Sequence, residues 1–185
     1  MADEPAIVIL AGGHARRFPD KLEHPIGGRP MIAHLYERAR ATGLPVYIVG
    51  KGSFSRELDA RLDAPLLVDR LPDRGPLGAL LSACATIRAQ RLFALAADQP
   101  LLEMSLLERL EAAWEMGDEA AVPEHDGEIE PLAALYARSA LLREGFEMRR
   151  APRRAMRDLI ERVATRFVAC DGAAFHNVNR IGDLP

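Results

Sequence analysis

The chain has 185 residues, 49% of them hydrophobic and 28% charged, which suits one globular domain of ordinary size. A net charge of -3 argues against a general nucleic-acid binder, and no apolar stretch is long enough to span a bilayer, so neither nucleic acid nor membrane is expected as a partner. The acidic start, Met1-Ala2-Asp3-Glu4-Pro5, lacks the basic and apolar regions of a signal peptide, and a cytoplasmic location is expected. Two cysteines, Cys84 and Cys170, are too few for a disulfide framework or a zinc site.

Ala6–Leu10 is a short, β-branched, wholly apolar run, as in strands covered on both faces. Met31, Ile32, Leu35, Tyr36 and Ala39 then recur at helical spacing, and Gly43 with Pro45 ends that helix. Val46–Val49 and Leu66–Val68 read as the second and third strands. Pro76 opens a helix whose apolar face is Leu77, Leu80, Leu81, Cys84 and Ile87, which makes Cys84 a buried thiol. Leu92–Ala96 reads as a fourth strand. Ser105 reads as the N-cap of a helix reaching Trp114, with Glu108 completing a capping box.

Strands separated by helices of this length imply βαβ units and a mostly parallel, doubly wound, Rossmann-like sheet flanked by helices. The last third differs. Ala120–Val122 and Leu132–Tyr136 flank a polar turn containing Asp126-Gly127, the signature of a small antiparallel excursion. Helices over 139–147 and 152–163 and a strand over Thr165–Val168 follow. No repeat or linker divides the chain, so the expected fold class is a single α/β domain.

The segment from Leu10 to Lys21 joins the first strand to the first helix, where ligands of open α/β sheets sit. Gly12 and Gly13 let the backbone approach a phosphate, and Arg16, Arg17 and Lys21 supply positive charge to the same cradle. Only Lys21 and Lys51 are lysines among 24 basic residues, a hint that position 21 wants a compact ammonium. Neither Gly-x-Gly-x-x-Gly nor Gly-x-x-x-x-Gly-Lys-Ser/Thr is present, which counts against a dinucleotide-dependent oxidoreductase and a P-loop kinase. Asp69 and Asp98 each follow a predicted strand and are candidate ligands for Mg²⁺, which takes one or two carboxylates plus phosphate oxygens. Turn-forming or capping roles are the structural alternatives for both. Gly75-Pro76-Leu77-Gly78 opens a helix with free backbone donors, and Asn177 and Asn179 would share one side if their stretch is extended, with turn-capping asparagines as the alternative. The five histidines show no metal spacing, and Arg149, Arg150, Arg153, Arg154 and Arg157 read as a solvated helix face.

Taken together, Leu10-Ala-Gly-Gly-x-x-x-Arg-x-x-x-x-Lys21, Gly27-Gly-Arg-Pro30, Gly75-Pro-Leu-Gly78, Asp98-x-Pro100, Pro131-Leu-x-Ala-Leu-Tyr136, Arg157-Asp-Leu159 and Asn177-Val-Asn179 resemble the molybdenum cofactor guanylyltransferase family, a MobA-like branch of the nucleotidyltransferases. The resemblance spans nearly the whole chain and implies transfer of GMP from GTP to molybdenum-bearing molybdopterin, with release of pyrophosphate. It further implies that Leu10, Ala11 and Gly12 contact guanine and ribose through backbone groups, and that Gly13, Arg17 and Lys21 hold the phosphates. Asp69 would contact the nucleotide and Asp98 would bind Mg²⁺, so Arg17, Lys21 and Asp98 carry the catalysis. Gly75, Gly78, Asn177 and Asn179 would serve the pterin substrate. On this reading residues 1–100 form the nucleotide-binding half and 101–185 the acceptor-binding half, with molybdoenzymes or cofactor-delivery proteins as candidate partners.

Three positions depart from the family pattern: Phe18-Pro19 replaces a common Met-Gly, Gly50 stands where an Asn is frequent, and Gln99 is shared with related cytidylyltransferases. Cytidylyl transfer to the same cofactor, or nucleotidyl transfer to a sugar phosphate, is therefore the alternative. A non-catalytic nucleotide-binding module is the rival of another class.

Overall fold

The computed structural model describes residues 4–12, 21–50, 54–147 and 155–175. Strands β1 (Ala6–Leu10), β4 (Val46–Gly50), β5 (Leu66–Val68) and β6 (Arg91–Ala96) lie parallel in the order β5-β4-β1-β6. Beside β6 the sheet turns mixed: β9 (Ala133–Ala137) runs antiparallel to both β6 and β7 (Ala120–His125), and β10 (Thr165–Ala169) closes that edge parallel to β7. A two-residue β8 (Glu128–Ile129) hairpins onto β7 through Asp126 and Gly127, which have φ of 49° and 76° as such a tight turn requires. A separate ribbon, β2 (Pro25–Ile26) with β3 (Arg29–Pro30), lies outside the sheet.

The alternation of side chains along β1 explains why helices cover both faces. Ala6, Val8 and Leu10 pack with α3 (Gly75–Cys84), α5 (Arg138–Glu147) and α6 (Ala155–Arg162), through Leu80, Ala83, Leu141, Leu159 and Ile160. Ile7 and Ile9 point the other way, onto α1 (Met31–Ala41), α2 (Arg56–Arg61) and α4 (Ser105–Ala113), through Ile32, Leu35, Leu58, Leu106 and Leu110. Cys84 is fully buried, as expected, and burial pushes its thiol up to about 11.

The capping expectation for α4 fails. Met104 holds the cap position without a side-chain bond, and Ser105 is the first helical residue, its hydroxyl turned back to Glu103 at 3.5 Å. The helix starts one residue early because Leu106 and Leu107 find the carbonyls of Glu103 and Met104, which leaves Ser105 inside the first turn.

At the amino edge of the sheet, where β6, β7 and β10 begin, arginines meet carboxylates. Arg143 grips Glu119 with two nitrogens at 2.8 and 3.0 Å, and Arg166 binds Asp118 at 2.6 Å. These hydrogen bonds hold both carboxyls below their ordinary range. Arg91 reaches Glu111 at 3.1 Å and lies over the Trp114 ring. Of the predicted arginine face, Arg157 is exposed and pairs with Glu128, while 149, 150, 153 and 154 lie outside the described residues.

Candidate active site

Because β1, β4, β5 and β6 are parallel, their chains all leave on the opposite, carboxyl edge, and main-chain bonds knit the exits together. Ala11 N donates to Val49 O at 2.8 Å, Asp69 N to Gly50 O at 2.8 Å, and Ala97 N to Leu10 O at 3.2 Å. The strand order reverses at β1, since the chain runs outward through β4 and β5 and then returns to β6 on the other side. Ligands of open α/β sheets bind at such a switch point.

The sharpest geometry there joins two expected site residues far apart in sequence. Lys21 Nζ meets Asp98 Oδ2 at 2.9 Å, with side chains only 11% and 31% exposed. Lys21 is held in place by its own neighbours: it opens a 3₁₀ turn, Lys21–Glu23, whose Leu22 packs against Ile26 and Met31. The β2–β3 ribbon carries that small cluster, and its turn needs both Gly27 and Gly28, at φ of 54° and 80°. Asp98 follows β6, where the chain turns and Gln99 N bonds back to Ala96 O.

The next residue, Gln99, is 2% exposed, and its side-chain Oε1 meets no hydrogen-bond donor among the described residues.

Asp69 sits across the edge beyond β5. Its Oδ1 accepts from Leu71 N at 2.8 Å and from Ser82 Oγ at 3.1 Å. Its Oδ2 faces Gly12, 3.9 Å from where a Cβ on that glycine would stand. A Cβ at Gly12 would therefore make only ordinary contact with the described residues, on the side of Asp69. Gly50 is different, since a Cβ there would stand 2.9 Å from Ala11 O, so its smallness lets the loop after β1 lie flat against β4.

The two glycines of Gly75-Pro-Leu-Gly78 have local structural reasons. Gly75 takes φ 59° and ψ -149°, a conformation nearly reserved to glycine. A Cβ on buried Gly78 would stand 2.3 Å from Leu71 O, so that glycine lets the loop after Asp69 press onto α3. Leu10 and Ala11 have already committed a carbonyl and an amide to the sheet, leaving the Ala11 carbonyl and Gly12 as the backbone groups at the edge.

Gly13, Arg17, Asn177 and Asn179 lie outside the described residues. The chain leading to the two asparagines is fixed at Phe175, whose ring stacks on His125 at 5.2 Å and 11°. His125 in turn meets Glu130 Oε1 at 3.2 Å at the carboxyl end of β7. Sequence reasoning passed over His125 as a histidine without metal spacing, and missed Ser82, a buried polar residue of α3.

No group of three or more His, Cys, Asp or Glu that could hold a metal occurs among the described residues. A metal at Asp98 would have one protein carboxylate and take its remaining ligands from phosphates and water. That donor set fits Mg²⁺, which binds through one or two carboxylates plus substrate phosphates.

A family model described as the MobA-like NTP transferase domain matches residues 7–169. A Mycobacterium marinum protein named "Probable molybdenum cofactor guanylyltransferase" is 34% identical over 186 residues, covering 96% of this chain and 90% of that one. An Aquifex aeolicus protein of the same name is 34% identical over a shorter stretch, 51% of this chain and 46% of that one, so the match takes in less than half of that relative. In fold, the chain resembles the Archaeoglobus fulgidus molybdopterin-guanine dinucleotide biosynthesis protein A, with a TM-score of 0.80, 24% identity and coverage of 97% and 94%. With the family model spanning most of its length and the carboxyl-edge geometry in agreement, the chain belongs to the MobA-like NTP transferase family.

Proposed function

We propose that this nucleotidyltransferase moves GMP from GTP to the terminal phosphate of molybdenum-bearing molybdopterin and releases pyrophosphate. The observation that carries the reading is the Lys21–Asp98 pair at 2.9 Å, a cation and a carboxylate held together at the exits of β1 and β6. Relatives named for this activity, and the Asn177-Val-Asn179 and Pro131–Tyr136 motifs, support the choice of acceptor.

In this reading the Ala11 carbonyl and Gly12, with Leu10 behind them, border the guanosine, and Gly13, Arg17 and Lys21 take the phosphates. Asp69 accepts hydrogen bonds from the nucleoside through the oxygen facing Gly12. Mg²⁺ held by Asp98 would neutralise charge on the reacting phosphate oxygens. Lys21 exchanges its carboxylate partner for the triphosphate, and with Arg17 draws charge toward the departing pyrophosphate. Alignment and charge neutralisation suffice for this transfer, so no side-chain nucleophile is invoked. Gly75 and Gly78 shape the start of α3 beside the acceptor, and Asn177 and Asn179 face the pterin.

Two measurements test this. GTP with Mg²⁺ raises the melting temperature more than CTP, UTP or dTTP, and pyrophosphate appears only when molybdopterin is added. Stabilisation led by CTP would instead assign cytidylyl transfer, and tight GTP binding without pyrophosphate would leave a binding module.

A further inference from the structure

The unclaimed group with the most specific surroundings is the hydroxyl of Ser82. It lies on α3, 8% exposed, one turn after Gly78. Its oxygen accepts from Arg70 N at 2.9 Å and lies 3.1 Å from Asp69 Oδ1 and 2.9 Å from Gly78 O. One proton cannot serve both acceptors fully. The Gly78 carbonyl is four residues back in the same helix, where the Ser82 amide is its regular partner. The carboxylate is charged and gains more from an O–H donor. The hydroxyl proton therefore belongs to Asp69.

The consequence falls on the other carboxylate oxygen. With Oδ1 held by Leu71 N and Ser82, and Asp69 N held by Gly50 O, the carboxylate plane is set before any ligand arrives. Oδ2 is left facing Gly12. An ionised carboxylate accepts hydrogen bonds and repels phosphate, so its partner is a hydroxyl or amine of the nucleoside, not the triphosphate. Ordering Asp69 during folding also spares the binding step the loss of that side chain's freedom.

We infer that Ser82 is a positioning residue for nucleoside recognition, acting through Asp69; this rests on the reading of Asp69 as a nucleotide contact. The test is a double-mutant cycle on the full chain, with Mg²⁺ and GTP titrated calorimetrically into wild type, Asp69→Asn, Ser82→Ala and the double variant. Ser82→Ala weakens GTP binding about tenfold, as expected for a lost hydrogen bond to a charged group. It raises KM while leaving kcat within about twofold, and costs little further in the Asp69→Asn background. Ser82→Thr restores affinity because it keeps the hydroxyl. Ser82→Cys keeps the volume without a strong donor, and reads the same loss if alanine loosens the helix. An equal loss in both backgrounds, or a loss that Thr does not rescue, would overturn the inference and leave Asp69 as a contact. An Asp69→Asn variant with unchanged affinity would remove the reading of Asp69 itself, and this inference with it.

Discussion

The two edges of the central sheet use the same residue types in opposite ways. At the amino edge, Glu119 and Asp118 are locked by Arg143 and Arg166 through guanidinium forks, and they also accept from the main-chain amides of Ala164 and Glu115. At the carboxyl edge, Asp98 meets the ammonium of Lys21, a compact charge, and Asp69 turns one oxygen toward Gly12. The difference teaches how to separate structural charge from working charge. A bidentate arginine pair is stable and hard to exchange, whereas one lysine contact is readily traded for a phosphate. The arginine-rich composition makes the contrast sharper, because Lys21 stands almost alone in a chain that otherwise uses arginine.

The comparison breaks first at Asp98. Replacing it with alanine lowers pyrophosphate release by about a hundredfold or more, the scale of losing one preorganised charge in a phosphoryl-type transition state. Circular dichroism at the assay temperature reads a folded variant, so the loss is one of chemistry and not of folding. Near-normal turnover would take Asp98 out of the chemistry and make the Lys21 pair a structural one like those at the other edge.

Two glycines give the next largest effects, and they move in opposite readouts. Gly78→Ala drives a Cβ against Leu71 O and destabilises the fold by about 1–3 kcal/mol in urea unfolding, as overpacking does. Gly12→Ala meets only ordinary contact with the described residues, so it is expected to keep the unfolding midpoint and lose GTP affinity. If Gly12→Ala unfolded as readily as Gly78→Ala, the opening beside Asp69 would be packing and not a ligand site.

The smallest effect belongs to the amino edge and is seen in acid. Hydrogen bonds from Arg166 and Arg143 hold the carboxyls of Asp118 and Glu119 below their ordinary range. A carboxyl depressed in the folded state contributes stability above its unfolded value and loses it as pH falls below. The Asp118→Asn, Glu119→Gln variant therefore shows a smaller drop in urea midpoint from pH 7 to pH 3 than wild type, with GTP binding at pH 7 unchanged. An unaltered acid limb would show that these pairs do not anchor the edge.

Most of the sheet was legible because β-branched runs and helical apolar stripes are strong local signals. Asp126-Gly127 announced its hairpin for the same reason, as both residues tolerate positive φ. The β2–β3 ribbon was not legible: two-residue strands carry no periodicity. Nor was α2, where Arg56–Arg61 buries Leu58 against the core in a segment too short to show a face. The parallel pairing of β10 with β7 depends on contacts across the chain that no window of sequence contains. At the site, the residue types at positions 21, 69 and 98 were readable, but the ion pair between Lys21 and Asp98 was not. Ser82 was not legible, since a serine between Leu81 and Ala83 carries no local signal and its partner Asp69 lies 13 residues away.

Whether the carboxyl edge transfers a nucleotidyl group is decided by GTP labelled at either the α- or the γ-phosphate. Incubated with Mg²⁺ and molybdenum-bearing molybdopterin, the α label should pass to the pterin product and the γ label should leave as pyrophosphate. Transfer of the γ label to the pterin, or its release as orthophosphate with no α label on the product, would contradict nucleotidyl transfer.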